Sequence, residues 1–166
     1  MTVTIAPPAA TRHRPAPVLT TIGVLVFLGI TAMAGGGALV FNLGAAPPGD
    51  WLDRIPLIDS WLVPGLVLGV GFGLGSLVAA YGVLRKPRWR WAGFVERLTR
   101  YHWSWMTTVL IGLGHVAWIA LELTYLPELS VLQVVYGGVG VALVLLPLLT
   151  PVRTYLRADP TQLPIS

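Results

Sequence analysis

Apolar residues run almost unbroken through four stretches of this chain, roughly 17–43, 61–84, 103–126 and 131–152. Short segments rich in proline, glycine and charge separate them. A helix needs about 20 apolar residues to cross the hydrocarbon core of a bilayer. Each stretch meets that length, so the pattern predicts an all-α, polytopic membrane protein with a four-transmembrane-helix bundle over 17–152. Residues 1–16, with Pro7, Pro8 and Pro15, read as a disordered tail, and 153–166 as a second tail. Arg12-His13-Arg14, the apolar run from Val18 to Ile30 and Ala32-Met33-Ala34 also have the layout of a secretory signal peptide. Cleavage there would leave residues 1–34 behind and three spans. The apolar run continues through Ala38-Leu39-Val40-Phe41, which favours an uncleaved helix.

Charge gives the spans a direction. Only 11% of residues are charged, against about 25% in soluble domains. The mean hydropathy of +0.74 likewise excludes an ordinary soluble domain. Arg12 and Arg14 precede span one, Arg85, Lys86, Arg88, Arg90, Arg97 and Arg100 lie between spans two and three, and Arg153 and Arg157 follow span four. Of the 11 basic residues, only Arg54 falls on the other side, with Asp50, Asp53, Asp59 and Glu128. The positive-inside rule then expects both termini in the cytoplasm. The excess of Arg over Lys points to a bacterial coding sequence, so the expected location is the inner (plasma) membrane. The net charge of +4 is thereby a topology signal, and no nucleic-acid partner is expected. With no cysteine, disulfide and thiolate chemistry are excluded.

Three features concern packing and lipid. Gly65, Gly69 and Gly73 recur every four residues and form a helix-packing interface, either inside the monomer or between copies. Arg88, Trp89, Arg90 and Trp91 are expected to contact anionic lipid headgroups, where each charge contributes about 1 kcal/mol. Trp91, Phe94, Leu98 and Tyr101 continue at helical spacing as a short interfacial helix. The brief link 127–130 makes spans three and four antiparallel neighbours, with Gly137, Gly138 and Gly140 offering a close surface. Pro147 and Pro151 kink or end span four.

Span three carries the residues with chemistry. His115 lies near its middle and Glu122 seven positions later, on one face about 10 Å apart along the axis, with Trp118 between them. Ionisable groups at membrane depth usually face the bundle interior and mark a site or pathway. This pair suits a ligand or proton site. It also suits a structural role, with His115 bonded to Thr20, Thr21, Thr31 or Tyr81 and Glu122 reaching the interface. Asn42, Asp59 and Gln133 lie at the same ends of their spans as Glu122 and complete a candidate outward-facing polar pocket. His13, His102 and His115 lack ligand spacing, so no metal site is expected. No nucleophile elbow, phosphate loop or dinucleotide fingerprint occurs, so no cofactor is implied and the balance leans against an enzyme.

The segments Thr31-Ala32-Met33-Ala34-Gly35-Gly36-Gly37, Pro48-Gly49, Val63-Pro64-Gly65-Leu66, His102-Trp103-Ser104-Trp105 and Leu132-Gln133-Val134-Val135-Tyr136-Gly137 resemble small four-span bacterial integral membrane proteins of unassigned function. The resemblance covers about residues 20–157 and implies a four-helix membrane bundle without an activity. Small multidrug exporters are also four-span but carry a Glu in the first span, which this chain lacks. The leading expectation is a non-enzymatic accessory subunit or a bundle binding lipid or a small ligand. The alternative is a proton-coupled small-molecule transporter using His115 and Glu122. A homo-oligomer or larger membrane complex is the expected assembly.

Overall fold

The computed structural model describes residues 14–43, 59–125 and 129–158. The start of the first tail, the connection with Trp51 and Asp53, the turn with Glu128 and the end of the second tail lie outside the described residues. So does the side chain of Trp91.

Among the described residues the chain is all-helical, with four helices long and apolar enough to cross a membrane. Helix α1, Ala16–Val40, carries Pro17 in its first turn, where a missing N–H costs no helical bond. It closes through Asn42, which takes the left-handed conformation (φ 50°) while Leu43 N donates to Ala38 O at 3.1 Å. That is a Schellman-type ending. Helix α2, Leu62–Arg85, runs back along it. Its middle, Val67–Leu74, is wound as a π-helix. Three glycines in these eight residues weaken the ordinary α-turn.

Glycine joins α1 to α2. A Cβ on Gly36 would meet the backbone N of Gly69, and would lie 2.5 Å from Gly65 O. One on Gly73 would lie 3.0 Å from Met33 N, and one on Gly65 2.9 Å from Gly36 O. The Gly65, Gly69 and Gly73 stripe is thus occupied by α1 of the same chain.

Helix α3, Gly93–Thr99, follows a short loop, and helix α4, Trp103–Tyr125, is the third span. Helix α5, Val131–Leu148, is the fourth. Ser130 and Gln133 cap it reciprocally, each side chain bonding the other's backbone. The α4–α5 pair repeats the glycine device: a Cβ on Gly112 would lie 2.8 Å from Val144 N and 2.9 Å from Gly140 O. As the prolines predict, span four breaks before Leu149, and α6, Thr150–Tyr155, turns away. Val152 and Leu156 are fully buried there. This corrects the expected tail from residue 153, because α6 packs back on the bundle and His102 N donates to Leu156 O at 2.7 Å.

The molecule is therefore two hairpins, α1–α2 and α4–α5, each packed more closely within than against the other. Between hairpins, Gly82 lies under the Trp103 ring and Gly114 under Phe72. Phe27 of α1 stacks on Tyr136 of α5 at 6.1 Å. The outer surface of the four spans is apolar, with Phe27, Ile30, Val70, Leu113, Leu121, Val134 and Leu145 all exposed. A contiguous apolar exterior of this extent suits lipid rather than water.

The basic residues gather at one end. Arg14 donates to Leu84 O, Lys86 Nζ donates to Tyr155 O at 2.7 Å, and Arg153 Nε donates to Tyr101 OH at 2.9 Å. Helix α3 sits there with Phe94 and Leu98 exposed beside Arg97 and Arg100.

Candidate functional site

His115 lies midway along α4 and is only 2% exposed. Neither ring nitrogen has a hydrogen-bond partner among the described residues. Its neighbours are aromatic. Phe72, from the π-helical turn of α2, stands edge-on at 5.0 Å, and Tyr136 of α5 edge-on at 5.9 Å. Edge-to-face packing holds the ring but leaves a neutral imidazole with one N–H and one lone pair unsatisfied.

The threonines expected to satisfy it are already used. Thr20 donates to Ala16 O, Thr21 to Pro17 O and Thr31 to Phe27 O, each within α1. Such back-bonding satisfies a hydroxyl locally. Tyr81 is half exposed on α2. The structural explanation of His115 by one of these four bonds is therefore corrected.

One further buried side chain shares this condition. Ser76 Oγ, fully buried on α2, also lacks a partner among the described residues. The antiparallel register of α2 and α4 puts Gly75 beside Ile111 and Phe72 beside Gly114. Ser76 is thus about one turn from the level of His115, on the facing helix.

Glu122 is held rather than open. Trp118 Nε1 donates to its Oε1, and the Gln133 side chain lies close by on α5. Gln133 Oε1 accepts from Ser130 N at 3.0 Å. His115, Trp118, Glu122 and Gln133 thus form one polar line from mid-bundle to one end, along the α4–α5 pair. Phe72 also meets Trp118 edge-on at 6.1 Å.

Asn42 and Asp59 do not join this line. Both are exposed at the same end, and Asn42 serves to terminate α1. Of the expected headgroup residues, Arg88 and Arg90 are exposed, but Trp89 turns inward and stacks on Trp103 at 4.5 Å. Among the described residues no three His, Cys, Asp or Glu side chains converge as a metal site. Sequence reasoning missed Phe72, Ser76 and Tyr136. Only their shared offset of about one turn from glycine-rich packing positions could have drawn notice.

No protein-family model, curated protein or solved structure matches the chain.

Proposed function

We propose that this is a multi-pass inner-membrane protein, its basic end in the cytoplasm, that binds a small hydrogen-bonding ligand at His115 between its two hairpins. The observation that carries the reading is the buried imidazole without a hydrogen-bond partner. Leaving a buried donor or acceptor unmade costs about 1–3 kcal/mol, and such groups in native proteins call for an explanation. A ligand that accepts from one ring nitrogen or donates to the other supplies it. The close glycine contacts of α1 with α2 support retention of α1 as an integral helix rather than a cleaved signal. Glu122, bonded to Trp118 and lying beside Gln133 of α5, fits a structural role at the end of the α4–α5 hairpin better than a free proton carrier, so binding is preferred over proton-coupled transport.

The test is His115→Leu, which keeps volume and removes both polar atoms. Wild-type protein purified gently from its own membrane should carry a stoichiometric small molecule by native mass spectrometry, and the variant should not. After exhaustive exchange of bound molecules, the variant should be more stable by about 1–3 kcal/mol, because no buried polar group is left unpaired. A variant that keeps the same bound molecule, or unfolds more readily, would overturn the reading.

A further inference from the structure

We infer that the ligand of His115 is an uncharged, lipid-soluble molecule that enters sideways from the hydrocarbon core, past Phe27 and Tyr136. This rests on the binding reading above and adds the ligand's class and its route. Three observations carry it.

First, the route. Tyr136 touches His115 on one side and stacks on Phe27 on the other. Phe27 is 45% exposed on the outer face of α1. Tyr136, itself partly buried, and Phe27 beside it therefore stand between His115 and the surface on the α1–α5 side. On the opposite side Phe72 and Trp118 close the seam.

Second, the depth. Phe27 is near the middle of α1 and His115 near the middle of α4. The surface that Phe27 covers is thus at the bilayer midplane, about 15 Å from either interface by the thickness of the hydrocarbon core. A molecule arriving there dissolves in hydrocarbon.

Third, the chemistry and mechanics. The rings of Phe72 and Tyr136 pack on His115, and the carboxylate of Glu122 is about two turns away. A charged ligand would find no counter-charge at that level among the described residues, whereas a hydroxyl or an N–H amide, each of which both donates and accepts, matches one donor and one acceptor. Aromatic faces accommodate a ring or hydrocarbon body. The seam lies between hairpins that are each locked by glycine, so the hairpins separate at the aromatic contact before either comes apart. The π-helical turn carrying Phe72 is on the seam, in keeping with the frequent occurrence of such turns at functional sites.

The experiment is carbene labelling of the full chain in nanodiscs, read at single-residue level by mass spectrometry. A hydrocarbon-soluble trifluoromethyl-phenyl-diazirine is compared with its water-soluble carboxylate analogue. Leu113, exposed on the same helix, serves as the internal reference. The hydrocarbon probe should label His115 or Trp118, several-fold more in Phe27→Ala and less in Phe27→Trp, with labelling of Leu113 unchanged. Labelling of His115 by the carboxylate analogue would overturn the sideways route while leaving a His115 site intact. Labelling indifferent to the size of residue 27 would also overturn the route. Failure of the binding reading itself shows separately, as a His115→Leu protein that keeps its bound molecule or loses stability.

Discussion

Gly36 and Gly37 are adjacent, yet their environments differ completely. A Cβ on Gly36 would press on the α2 backbone at Gly69 and Gly65, whereas one on Gly37 would meet nothing within 4 Å. Backbone cannot move aside as a flexible side chain does, so Gly36→Ala must push α1 off α2. Overpacking of this kind costs about 1–3 kcal/mol. Gly37→Ala adds no contact and replaces a poor helix former, so it should be neutral or stabilising by up to about 1 kcal/mol. Thermal unfolding of the two variants in one detergent checks the pair. Equal effects would mean that the two helix backbones do not meet at Gly36. The stripe Gly65, Gly69 and Gly73 is legible in the sequence as a packing element, but that Gly36 rather than Gly37 meets it is decided by the register of α1 against α2. The same holds for His115. Its place on one face with Glu122 follows from helical period, while its lack of a partner depends on where three other helices put their side chains.

At the scale of elements, the spans were legible to within a few residues because length and hydropathy alone set them. The predicted stretches 61–84 and 103–126 became Leu62–Arg85 and Trp103–Tyr125. The π-helical turn was not legible, since glycine weakens an α-turn without specifying what replaces it. Nor was the cap at the basic end, where His102 joins three segments. It is 7% exposed; its Nε2–H donates to Pro87 O at 3.1 Å and its Nδ1 accepts from Ser104 Oγ at 2.8 Å. Burial lowers its pKa, and the Lys86 charge adds to this, while the Pro87 bond and Glu96, 3.8 Å away, oppose it. The folded cap therefore favours the neutral ring. On acidification the unfolded cap takes up a proton first, below about pH 6.5, so His102 contributes full stability above that value and less as pH falls toward the folded value. Protonation would also turn Nδ1 from acceptor to donor and force the Ser104 hydroxyl to reverse. Hydrogen exchange over residues 90–102, corrected for its intrinsic pH dependence, should quicken between about pH 7.5 and about pH 5. His102→Gln, which keeps a donor for Pro87 but does not titrate, should flatten that dependence. An unaltered dependence would assign it to another group.

For the whole molecule, the start of α1 and the residues after α6 lie at one end of the bundle, where the contacts of Arg14, Lys86, Arg100 and Arg153 tie the basic segments together. Asp59 and the end of α1 are at the other. Holding this many cations on the trans side of an energised membrane is unfavourable, since each charge moved across about 100 mV changes the free energy by about 2.3 kcal/mol. In the proposed orientation, anionic headgroups of the cytoplasmic leaflet add to the same preference, and the exposed Phe94 and Leu98 of α3 are on that side. The cysteine-free chain allows a direct check with single thiols. Leu43, 71% exposed at the acidic end, and Arg157, exposed at the basic end, are suitable positions. In spheroplasts an impermeant maleimide should label Leu43→Cys at once and Arg157→Cys only after permeabilisation. The reverse order would place the basic end outside. Labelling of Arg157→Cys without permeabilisation in half the molecules would mean dual insertion, in which case the charge asymmetry is too weak to orient the bundle and pairs of opposed copies become the unit to study.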